Sequence, residues 1–183
     1  MSKISKLVGE VVDGEPVFCF EDDDEQYFSI TVRFLDATIK VVFSEYIIQG
    51  HYSGKVEVTG YLASDFQSKN NIDFYLHANA IESVDIDTPS SNTLQFTYKV
   101  TKVGKMKANK RGVDVLPLVV SDYTSRQTTS VLYLCVRGKW ARKLKDMQKG
   151  YYITGEGYLK QYRDVYEVIV LNLADDAITE TPV

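Results

Sequence analysis

Lys102, Lys105, Lys107, Lys110 and Arg111 all fall in the run TKVGKMKANKRG, and no acid interrupts residues 97–113. Cations at that density suit the phosphates of a polyanion, whose condensed counterions they displace. A second group, Lys160, Tyr162 and Arg163 in LKQYRDVY, adds a tyrosine at a hairpin tip with no core to fill. Such a ring is free to stack on an unpaired base. Alternation along SVLYLCVRG puts Val131, Tyr133, Cys135 and Arg137 on one strand face and Leu132, Leu134 and Val136 on the other. The apolar set is expected in a core. Tyr133 and Arg137 then face outward, one to stack and the other to pair with phosphate.

The charge is divided unevenly along the 183 residues. Residues 1–95 hold 6 Lys+Arg against 16 Asp+Glu, a balance of −10; residues 96–183 hold 15 against 9, a balance of +6. The net charge of −4 conceals this split, which points to different partners for the two halves. The acidic excess includes a run, Glu21, Asp22, Asp23, Asp24 and Glu25, that repels phosphate. It reads as a solvated turn or as a contact for another protein.

Little in the sequence suggests catalysis, a metal or a cofactor. There is no glycine-rich phosphate loop, no Ser-His-Asp arrangement and no paired-carboxylate site. Cys19, Cys135, His51 and His77 lack the spacing of metal ligands. The two cysteines read as buried free thiols, one in each half. No run of about 18 apolar residues exists to span a membrane, and the N-terminus has no signal-peptide pattern, so a cytoplasmic location is expected.

The elements that must hold these groups are strands. FSITVRF, TIKVVFSEYII, KVEVTGYL, IDFYLHANAI, LQFTYKVTKV, LPLVVSDY, SVLYLCVRG, YYITGEGYL and VYEVIVLNL are short and rich in β-branched and aromatic residues. The aromatics of the first half (Tyr27, Phe28, Phe34, Phe43, Tyr46, Tyr61, Phe74, Tyr75) are expected to be mostly core. One helix is expected over residues 139–150, closed by Gly150. Trp140 is expected to cap the core beneath it, with Lys143 and Lys145 on its solvated face.

A weak internal repeat organises these strands. GKVEVTGYL and GYYITGEGYL both end in Gly-Tyr-Leu, and each is followed by a polar hairpin and a strand containing an asparagine, Asn79 or Asn172. Upstream, FSITVRF with TIKVVFSEY parallels VLPLVVSDY with SVLYLCVRGKW. The implied organisation is a domain over 1–86, a linker over 87–94, a second domain over 95–175 and a short tail over 176–183. A single large β-sandwich is the alternative.

Residues 95–173 resemble the bacterial and phage single-stranded DNA-binding (SSB) proteins. Gly138, Lys139 and Ala141 stand where that family has Gly-Lys-Leu-Ala, with Trp140 replacing the leucine. Lys149-Gly150 closes the helix, Glu156-Gly157-Tyr158-Leu159 matches the family's Glu-Gly-x-Leu strand, and Arg111-Gly112 stands for the Asn-Gly of its first hairpin. The chain ends in ADDAITETPV rather than an acidic tip finishing in Pro-Phe.

The resemblance implies an all-β protein of two tandem OB-folds, five-stranded Greek-key barrels, with a short helix in the second. It implies a non-enzymatic protein that coats and protects single-stranded DNA, or RNA, in replication or recombination of a phage, mobile element or bacterial genome. It also implies a homodimer, since relatives gather about four such barrels. The basic hairpins 102–111 and 160–163 would be the loops flanking the binding face. The acidic first domain would meet replication proteins instead. The alternative function is an OB-fold scaffold that mainly holds proteins together.

Overall fold

The computed structural model describes residues 4–68, 71–122, 130–163 and 165–180. Strands β1 (Ser5–Asp22), β2 (Glu25–Phe34) and β3 (Ala37–Ser44) lead through a 3-10 turn, Glu45–Ile47, to β4 (Lys55–Ser68) and β5 (Asn71–Val84). They pair in the order β1-β2-β3-β5-β4, and β1 also pairs with β4, so the sheet closes. The β3–β5 pair is parallel and the others are antiparallel. The order repeats in β6 (Thr93–Val103), the two-residue β7 (Lys107–Ala108), β8 (Asp114–Asp122), β9 (Ser130–Arg137), helix α1 (Lys139–Lys143), β10 (Tyr152–Tyr162) and β11 (Val165–Thr179). Here β6-β10-β11-β9-β8 closes through β6–β8, and β9–β11 is the parallel pair. The chain is therefore two tandem OB-fold barrels.

Contacts divide the chain into compact units from Ile4 to Leu94 and from Gln95 onward. Each has its own apolar interior. Phe34, Phe43, Val41 and Val58 are fully enclosed in the first, and Phe96, Leu118, Leu134 and Ile153 in the second. Every such side chain contributes roughly 1.5–3 kcal/mol by leaving water.

The segment 87–94, expected as a linker, is fastened to the first barrel. The Ser91 N–H donates to the Val8 carbonyl at 2.9 Å, and the Val8 N–H donates to the Ser91 carbonyl at 3.0 Å. Asn92 is buried, with its amide on the Phe34 carbonyl. The polar residues here close a barrel end instead of spacing two domains. At the other terminus, residues 176–179 extend β11: Ala177 is buried and Thr179 pairs with Tyr152. The rest of the expected tail reaches 181–183, outside the described residues. The expected helix 139–150 is regular only over Lys139–Lys143. Leu144 is its last buried anchor, and isolated turns carry the chain to Gly150, which holds a positive φ of 102°.

The repeated Gly-Tyr-Leu has a structural cause. Register places Gly60 opposite Ala78 and Gly157 opposite Val170, with a bulge at Asn79 in one barrel and Leu171 in the other. A Cβ on Gly60 would lie 2.0 Å from the His77 carbonyl oxygen, and one on Gly157 would lie 2.6 Å from that of Ile169. Both bulges bring a neighbouring backbone where only glycine fits. The two asparagines do not correspond: Asn172 aligns with Ala80, one residue beyond the bulge.

Candidate nucleic-acid interface

The β6–β8 connection is an ordered turn built on Asn109. Its Oδ1 accepts from the Arg111 N–H at 2.9 Å and from the Val113 N–H at 3.0 Å, and Gly112 supplies the required positive φ of 74°. Lys105, Lys107, Lys110 and Arg111 all project from it into solvent, and Lys102 is exposed on β6. No ion pair among the described residues engages any of the five.

Three strands form the surface beside this turn. Register sets Val119, Tyr133, Glu167 and Lys160 in one row across β8, β9, β11 and β10, and Pro117, Cys135, Ile169 and Tyr158 in the next. Leu132, Leu134 and Val136 are buried beneath, as alternation requires. Tyr133 is 47% exposed. Arg137 closes the row end nearest the basic turn; its Nε donates to the Cys135 Sγ at 3.5 Å, and that contact, ahead of the nearby Glu167, raises its already high pKa. The β10–β11 turn lies at the opposite end of the strands, where Tyr162 is 67% exposed beside Arg163 in a left-handed turn conformation. The second barrel thus brings every predicted site residue onto one outer face or the two hairpins bounding it.

Two groups on this face escaped the sequence reading. Glu167 stands opposite both Tyr133 and Lys160, an acid in an otherwise basic surface. Tyr158 adds a second partly exposed ring in the next row. Strand alternation contains both signals, but neither is separable from a core position without register. Trp140 was expected beneath the helix. Its indole N–H instead reaches the Leu171 carbonyl at 3.2 Å, and Lys139 and Lys143 lie over the ring at 4.4 and 5.4 Å.

The first barrel carries a different version of this face. Its β1–β2 turn occupies the topological place of the basic turn but consists of Asp23 and Asp24, both with positive φ. The aromatics expected to be mostly core divide otherwise. Phe34 and Phe43 are buried, Tyr46 is exposed, and Tyr27, Phe28, Tyr61, Phe74 and Tyr75 are partly exposed. Phe20 stacks on Tyr27 at 4.8 Å, Tyr27 tilts against His77 at 5.8 Å, and His77 stacks on Tyr61 at 4.9 Å, a continuous row of rings on the barrel exterior. Burial, followed by the Glu25 carboxylate, pushes the Tyr27 phenol up to about 12.

Desolvation within this row holds His77 below its ordinary value of 6.5, with Glu25 opposing weakly. Neutral His77 therefore contributes stability that is complete above pH 6.5 and is lost as pH falls through the interval down to its folded value. We expect a His77→Phe variant, which keeps the ring contacts, to lose less stability than the parent between neutral pH and pH 5, as read by thermal unfolding. Parallel losses in the two proteins would show that His77 does not titrate in this way.

Two closed rings of five strands, each with one parallel pair, define a tandem OB-fold protein. No protein-family model and no curated protein matches the sequence. Among solved structures, the wild-type single-stranded DNA binding protein from Thermus aquaticus has a TM-score of 0.72 at 13% identity, covering 95% of this chain and 92% of that chain. A deletion mutant of the same protein has a TM-score of 0.74 at 13% identity, covering 95% of this chain and 93% of that chain. The likeness extends over both barrels and is one of fold. Among the described residues, no three His, Cys, Asp or Glu side chains cluster to hold a metal, and no helix is long and apolar enough to cross a membrane.

Proposed function

We propose that the chain binds single-stranded DNA, keeping it unpaired and protected, and that the outer face of the second barrel carries the strand. One observation supports this above the rest. Unpaired cations at the β6–β8 turn and exposed rings at Tyr133 and Tyr162 occur together on a single OB-fold face. Phosphates follow the cations from one hairpin to the other while bases lie on the rings, an arrangement that tolerates any sequence. The full-length fold similarity to a single-stranded DNA binding protein agrees with this reading. The chemistry is equilibrium binding, not catalysis.

A second reading concerns the first barrel alone. Asp23 and Asp24 occupy the place of the basic turn, which favours a protein partner, such as a replication protein, at that position. Fluorescence anisotropy of labelled oligonucleotides tests the main proposal on the full chain. Single strands should bind with steep salt dependence and displace poorly when challenged with duplex. Equal affinity for duplex and single strand would refute it.

A further inference from the structure

Helix α1 adds a feature that the two hairpins and the strand face do not explain. Trp140 is the sole tryptophan of the chain, and two ammonium groups lie over its indole ring. Lys139 and Lys143 repel one another there, and among the described residues neither forms an ion pair. The nearest acid on the neighbouring turn, Asp114, is already occupied by Arg142 at 2.8 Å. Two cations held close together without a counter-charge form a place where an anion lowers the energy of the protein.

The helix is also fixed to the proposed strand path. The Gly138 N–H donates to the Asp114 carbonyl at 2.8 Å, which joins the start of α1 to the base of the basic turn. Arg137, at the end of the β9 face, immediately precedes this junction. On its other side the indole N–H holds the bulged Leu171 of β11. Trp140 and its two lysines therefore lie where a strand leaving the face past Arg137 would next arrive.

We propose that Lys139, Lys143 and Trp140 form an accessory subsite for the same single strand, with a phosphodiester on the two ammonium groups and its base against the indole. The inference rests on the single-strand reading of the barrel face. It lengthens the contact beyond the two hairpins and explains why an aromatic residue stands at a helix position that could have been filled by leucine.

The full chain reports on this directly, because all tryptophan emission comes from Trp140. We expect its emission to change in step with the anisotropy of a labelled oligodeoxynucleotide during titration. In a Lys139→Ala/Lys143→Ala variant, the dependence of log affinity on log salt should flatten by about 1.4, from two lost phosphate contacts at ~0.7 each. Binding by anisotropy with unchanged tryptophan emission and an unchanged salt slope would overturn the subsite while leaving the barrel-face reading intact. No binding by anisotropy would overturn both.

Discussion

Replacing Lys105, Lys107, Lys110 and Arg111 together with alanine should flatten the salt dependence of single-strand binding by about 2.8, from four phosphate contacts at ~0.7 each. The variant should then bind roughly 100-fold more weakly than the parent near 0.2 M salt, and the two should converge toward 1 M as the electrostatic contribution is screened away. Folding should be almost untouched. All four side chains project into solvent and make no ion pair among the described residues, and the turn is held by Asn109 and Gly112. Thermal unfolding of the variant checks that point, and anisotropy across a salt series reads the slope. An unchanged slope would remove the basic turn from the interface.

The rings should behave in the opposite way. Tyr133→Ala and Tyr162→Ala should each weaken single-strand binding by about 1–3 kcal/mol, the range for loss of one base–aromatic stack. That corresponds to roughly five- to 150-fold. Neither change removes a charge, so the salt slope should stay that of the parent. Tyr162→Phe should retain most of the affinity, because the stacking face survives. Tyr162 is 67% exposed, so its loss should not lower the unfolding temperature. If Tyr162→Ala bound as tightly as the parent, the β10–β11 turn would be only decoration on this barrel. The pair of experiments separates the two halves of the mechanism: cations set the slope, and rings set a salt-independent offset.

Much of this architecture was legible in the residues. Alternation in SVLYLCVRG correctly divided the buried Leu132, Leu134 and Val136 from the outward Tyr133, because a strand with one buried face cannot slip register without exposing its core. The Gly-Tyr-Leu repeat marked matching bulges in both barrels, since close backbone approach leaves no alternative to glycine. What failed did so for local reasons. Polar residues 87–93 looked like a linker, yet Ser91 and Asn92 satisfy backbone groups of the first barrel, a role that composition cannot distinguish from solvation. The basic stretch after Lys143 suggested a longer helix, but little apolar surface beyond Leu144 remains to hold one. The row of rings through Phe20, Tyr27, His77 and Tyr61 was hidden because strand spacing alone gives an exterior aromatic the same signature as a core one.

The central claim is that the strand lies on the outer face of the second barrel. Photocross-linking the full chain to a bromodeoxyuridine-substituted single strand, followed by mapping of the modified peptides, tests it most directly. The account predicts adducts at Tyr133, Tyr158 or Tyr162. Adducts confined to Tyr27, Tyr61 or their neighbours on the first barrel would contradict it.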